Sequence, residues 1–182
     1  MIYKYRVTLD GIKGFYRVYK INSDNSLYTF HKQLRSDLEF AVDQPILFKA
    51  FNESGNVIAK YALIDLGFGT VDITTMAAAF KAGAVRFVYF YDVTSRKSVN
   101  ITFEGEEPGY VAYPTVIESK GPNPIEFENG YVAFEDLPEE HRHLPKDDDD
   151  PDLDEEDDDE DEEEDEEKDD EEEIIYDENE TD

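Results

Sequence analysis

Polar and apolar residues alternate strictly at the start of the chain. Tyr3, Tyr5, Val7 and Leu9 fall on one side, and Lys4, Arg6 and Thr8 on the other. A period of two marks a strand with one face buried. Asp10 and Gly11 then supply turn chemistry, and "FYRVYKI" returns as a second strand. The period changes in "NSDNSLYTFHKQLRSDLEF", where Leu27, Phe30, Leu34 and Leu38 recur at helical spacing as one apolar stripe. Asn25 or Ser26 stands where a cap is needed, its side-chain oxygen available to one of the first free amides. The opening is therefore ββα.

Further along, "PILFKAF" and "VIAKYALI" read as strands divided by the turn-forming "NESGN". Asp72 is placed to cap a short helix through "ITTMAAAFK", ended by Gly83. "VRFVYFY" and "SVNITFE" form a second hairpin around "DVTSRK". "YVAYPTVIES" reads as a strand whose proline points to an edge or a bulge. "KGPNPIEFENG" reads as a loop, and "FEDLPEEHRHL" as a last short helix with Asp136 as its cap. The pattern predicts an α+β domain, a largely antiparallel sheet packed by two helices.

Charge divides the chain in two. Residues 1–146 hold 16 Lys/Arg and 19 Asp/Glu, a net charge of −3, whereas residues 147–182 hold 28 acids against Lys168 alone, a net of −27. Neighbouring carboxylates lie well inside the screening length of physiological salt. Leu153, Ile174, Ile175 and Tyr176 are too few to offset the entropy of ordering such a segment. The expected organisation is a domain over 1–146 and a disordered acidic tail over 147–182.

The absence of cysteine excludes disulfide scaffolding, thiolate catalysis and cysteine zinc sites. No apolar run spans a bilayer, and "MIYKYRV" reads as a strand rather than an export signal, so the expected location is cytoplasmic. "DPDLDEEDDDED" fails the calcium-loop template: Glu155 stands where the turn needs glycine, and Asp161 where a bidentate glutamate belongs. "GFGT" lacks the third glycine of a dinucleotide loop. His141 and His143 lack a third metal ligand. No catalytic set, metal site or cofactor is expected from these patterns.

Several phrases occur together in one order. "SDNSLYTFH" (Ser23 to His31) enters the first helix, "FVYFYD" (Phe87 to Asp92) is an aromatic strand ending in aspartate, and "YPTVIESKGPNPIEFENGYVAF" closes the domain. In this order, over roughly residues 3 to 137, the chain resembles the Ri-plasmid ORF-3-like family, which also occurs as passenger proteins of insertion elements. The resemblance implies an α+β fold, an unassigned biochemical role, and a polar site of which His31 and Asp92 are the remnants. The family's Gly-Asp-x-Trp-x-His-like turn and His-x-His pair are replaced here by "YDVTSRKSVN" and "PILFKAF".

Three roles follow as expectations. The first is a non-catalytic interaction module of this plasmid type, which meets a protein partner through its acidic tail. There Ile174, Ile175 and Tyr176 form an apolar hook among carboxylates. The second is a nucleic-acid-associated or nucleic-acid-mimicking protein of mobile-element origin. Lys4, Arg6 and Arg17, interleaved with tyrosines, would form a weak anion-binding face on the first hairpin, in competition with the tail. The third is a hydrolase-like enzyme using His31 and Asp92.

Overall fold

In the computed structural model, residues 1–130 are described, together with Val132 and Leu137. They lie within a compact unit spanning Met1–His143. The expected helix at Asp136, the His141/His143 pair, the acidic tail and its Ile174, Ile175 and Tyr176 fall outside the described residues. In chain order the elements are β1 (Ile2–Leu9), β2 (Ile12–Asn22), α1 (Leu27–Asp37), β3 (Leu47–Phe51), β4 (Val57–Ala62), α2 (Met76–Lys81), β5 (Arg86–Asp92), β6 (Lys97–Glu107), β7 (Thr115–Lys120) and α3 (Pro124–Glu128). This is the expected α+β architecture.

The strands make a seven-stranded sheet in the order β4-β3-β5-β6-β1-β2-β7. Each neighbouring pair runs antiparallel. The alternation read from β1 holds: Tyr3, Tyr5 and Val7 are buried, and Lys4 and Arg6 face the other way. The inner face collects Tyr5, Tyr19, Phe48, Phe87, Tyr89 and Ile101 beneath α1, whose Leu27, Phe30 and Leu34 are buried against it. Phe30 sits edge-on to Tyr19, with ring centroids 5.4 Å apart, and tilted over Tyr5 at 6.3 Å. Such aromatic pairs add about 0.5–1.5 kcal/mol each beyond the area they bury.

Ser26 is the cap of α1, its side chain accepting from Thr29 N at 3.2 Å. The starts of the two helices are joined. Leu27 N donates to Thr74 O and Met76 N to Asn25 O, each at 2.9 Å, so amides that a helix leaves free find carbonyls of the other segment. Thr75 caps α2 through its bond from Ala78 N at 3.1 Å. The cap expected at Asp72 lies one turn too early, because residues 71–74 form a separate turn that Thr74 and Thr75 complete.

Three further boundaries differ from expectation. "KGPNPIEFENG" contains a helix, α3, with Pro124 at its first turn after Asn123, where the missing proline N–H costs nothing. β4 stops at Ala62, because Val71 N bonds back to Ala62 O at 3.0 Å and the chain turns; Leu63 and Ile64 are left exposed. β7 begins only after Pro114, at the sheet edge where a proline was expected.

Candidate functional site

His31 lies on the side of α1 that meets β5. It is 3% exposed, its Nδ1 hydrogen-bonded to the Tyr89 hydroxyl at 2.9 Å and its ring stacked on Tyr28. Burial, and then the nearby Arg35 and Lys32 charges, lower its pKa to about 4, so the imidazole is neutral near pH 7. Asp92, at the end of β5, accepts from Ser95 N at 2.9 Å; that bond holds its carboxylate below the ordinary range. The cavity that Asp92 lines, about 110 Å³, is shared with Tyr91, Lys97 and Glu128. His31 is not among its walls. Glu128 accepts from the Tyr91 hydroxyl at 2.7 Å and from Lys97. That cluster fastens α3 to β5 and β6.

The buried neutral histidine sets a pH dependence. The unfolded chain takes up this proton near pH 6.5 and the folded chain only near pH 4. Stability therefore falls as pH drops through that window, by up to roughly 3 kcal/mol from this group. Urea unfolding of the wild type and His31→Gln at pH 7 and pH 4.5 checks this. The variant is expected to lose distinctly less stability on acidification. Equal losses would mean that His31 does not carry the effect.

The three cations expected on the first hairpin do not share a face. Lys4 and Arg6 project from the outer side of β1, whereas Arg17 pairs across from Val7 and points inward. The Arg17 guanidinium donates to Tyr16 O at 2.9 Å, Lys120 O at 2.6 Å, Gly121 O at 2.9 Å and Asn123 Oδ1 at 3.2 Å. Arg6 is paired with Glu104 and lies 3.9 Å from Glu118, and neighbouring Lys20 is paired with Glu107. This part of the outer face is thus close to neutral.

The same face changes character towards β4. No helix or second sheet covers it among the described residues, and its outward positions on β3, β4 and β5 carry Lys49, Lys60 and Arg86 with Phe51, Val88 and Phe90. None of these three cations has a carboxylate partner among the described residues. Arg86 lies over the Phe51 ring at 4.5 Å, and Lys49 over Phe90 at 4.7 Å. Beside them, an open groove of about 700 Å³ runs along β4, lined by Lys49, Val57, Ile58, Lys60, Leu66 and Phe68.

Asp65 shapes the outer wall of this groove. Its Oδ1 accepts from Gly67 N at 2.7 Å, Phe68 N at 3.1 Å and Gly69 N at 3.0 Å, and those bonds hold its carboxyl below the ordinary range. Gly67 and Gly69 have φ of 96° and 90°, which a side chain rarely tolerates. Leu66 and Phe68 are thereby held out from the domain, 43% and 52% exposed. The signal in the sequence is "ALIDLGFG": apolar residues running past a strand into Asp-x-Gly-x-Gly.

No family model and no curated protein matches the chain. Among solved structures it is similar to a crystal structure of a protein of unknown function from Methanosarcina mazei Go1. The TM-score is 0.56 and the identity 15%, over 70% of this chain and 78% of that one. The likeness is one of fold. Among the described residues there is no His/Cys/Asp/Glu cluster able to hold a metal ion, and no helix long and apolar enough to cross a membrane.

Proposed function

We propose that the protein is a non-catalytic interaction module of the plasmid ORF-3-like type, with a polyanionic tail, whose binding surface is the open sheet face at β3, β4 and β5. One observation carries this reading: among the described residues Lys49, Lys60 and Arg86 have no carboxylate partner, on an uncovered sheet face beside a groove with exposed apolar walls. Exposed apolar surface bordered by charge is what a partner covers. His31, by contrast, does not line the cavity that Asp92 lines, and each is engaged in local hydrogen bonds.

A second reading, association with nucleic acid, is supported by the cations and rings on the same face, since single strands use both. Affinity capture from native lysate, with and without nuclease, tests the two together. The captured set is expected to survive His31→Gln and Asp92→Asn and to be lost in a Lys49→Glu/Lys60→Glu/Arg86→Glu chain. Loss on nuclease treatment selects nucleic acid. A set indifferent to the charge reversals, or hydrolysis of a generic phosphate or ester substrate abolished by Asp92→Asn, overturns the module reading.

A further inference from the structure

Six of the thirteen exposed large apolar residues among those described lie between positions 57 and 73: Val57, Leu63, Ile64, Leu66, Phe68 and Ile73. They belong to β4, the last strand at one end of the sheet, and to the chain that follows it, and Val57, Leu66 and Phe68 line one groove. An edge strand offers its unpaired backbone groups to another strand. On β4 the side that is free can be read directly. Ala62 O accepts from Val71 N outside the sheet, so the N–H and C=O of Lys60, two residues earlier, also turn away from β3. The groove between β4 and the Leu66–Phe68 wall therefore combines a backbone edge, apolar walls and the ammonium groups of Lys49 and Lys60.

We propose that this edge groove binds an extended acidic peptide carrying adjacent apolar residues, which adds as a strand alongside β4. The inference rests on the interaction-module reading and names its partner class. In an extended strand alternate residues share a side. Apolar side chains two apart then fill the space between Val57, Leu66 and Phe68, and flanking carboxylates reach Lys49 and Lys60. Main-chain bonds to the edge supply affinity, and the side-chain pattern supplies selection.

Three other occupants fit less well. A second copy pairing β4 against β4 would bring the edge-strand Lys60 of both chains together, and Lys60 has no carboxylate partner among the described residues. Single-stranded nucleic acid stacks successive bases on several rings, but the groove offers one, Phe68, because Phe51 and Phe90 are not among its walls. A neutral apolar ligand leaves both lysines without a counter-charge. The chain itself spells the required chemistry in "EEEIIYDE" (Glu171 to Glu178).

That spelling supplies a probe. A fluorescent copy of residues 170–179 is titrated, by anisotropy, into the full-length chain carrying Ile174→Ser, Ile175→Ser and Tyr176→Ser, so that its own copy of the sequence does not compete. Saturable binding is expected, weakened about ten-fold or more by Lys49→Glu/Lys60→Glu and, separately, by Leu66→Ser/Phe68→Ser. Raising salt from about 50 to about 500 mM is expected to weaken it as well, as exposed charges become screened. Serines in place of the probe's three apolar residues should abolish it. Leu66 and Phe68 are exposed, so their double variant remains informative if the charge-reversed chain fails to fold.

Binding indifferent to both pairs of substitutions, or no binding, overturns the proposal. So does displacement of the probe by an oligothymidine that itself binds more tightly. A concentration-dependent dimer lost in Leu66→Ser/Phe68→Ser would assign the groove to a second copy. If the peptide fails while lysate capture still depends on Lys49, Lys60 and Arg86, the module reading stands and only the partner class is wrong.

Discussion

Replacing Gly121 by alanine is expected to remove at least about 3 kcal/mol of stability, the range reached when a substitution forces backbone apart. Gly121 follows β7 with φ of +73°, and a Cβ built on it lies 2.0 Å from Gly14 O and 3.1 Å from Gly14 C. Neither neighbour is the tip of a flexible side chain; both belong to the backbone of β2. Relief requires the β2–β7 edge to open. For a domain of this size the melting temperature should fall by roughly 10 °C. Circular dichroism melts of the wild type and Gly121→Ala decide it, and a loss below about 1 kcal/mol would show that the close approach is easily relaxed.

Arg17→Ala is expected to cost a similar amount, roughly 3 kcal/mol, for an electrostatic reason instead of a steric one. The guanidinium serves three backbone carbonyls and the Asn123 side chain from a site 9% exposed. Without it, the part-buried carbonyls of Tyr16 and Lys120 and the Asn123 side chain lose a charged donor. Lysine should not restore the loss, because one ammonium cannot reproduce the planar fork. Urea unfolding of Arg17→Ala and Arg17→Lys, with amide hydrogen exchange along β7, tests both points. A lysine variant as stable as the wild type would overturn the account.

The same arginine shows where sequence reading reached its limit. Counting cations within the first twenty residues places Arg17 beside Lys4 and Arg6. Strand parity separates them, since Phe15, Arg17, Tyr19 and Ile21 share the inner side of β2. The period of two was therefore enough to exclude Arg17 from an anion-binding face, had it been applied to charge as well as to apolar residues. The helical stripe Leu27, Phe30, Leu34 and Leu38 was fully legible, because all four bury on one face. So was the β5–β6 hairpin, a pairing of close neighbours in sequence.

Strand order was not legible. Nothing in "IYKYRVTL" says that its second partner lies about a hundred residues away, because pairing of β1 with β6 is decided by which apolar faces complete one core. The α3 helix was hidden for the opposite reason. Pro and Gly dominate "KGPNPIEFENG", although Pro124 directly after Asn123 is itself a helix-start signal. The groove along β4 went unseen because Leu63 and Ile64 pass for the end of a strand, and only the return of the chain from Val71 to Ala62 exposes them.

The central place of β1, held between β2 and β6, also governs how the protein comes into being on the ribosome. The first hairpin and α1 are complete once residue 37 has been made, yet the strand that closes the other side of β1 ends at Glu107. At 5–20 residues per second, the seventy residues between take about 3.5–14 s to synthesise. Throughout that time Tyr3, Tyr5 and Val7 belong to a strand with one edge unclaimed. An unclaimed edge is open to wrong pairing, so a nascent-chain holdase engaging β1, β2 and α1 would act on this protein at its most vulnerable stage.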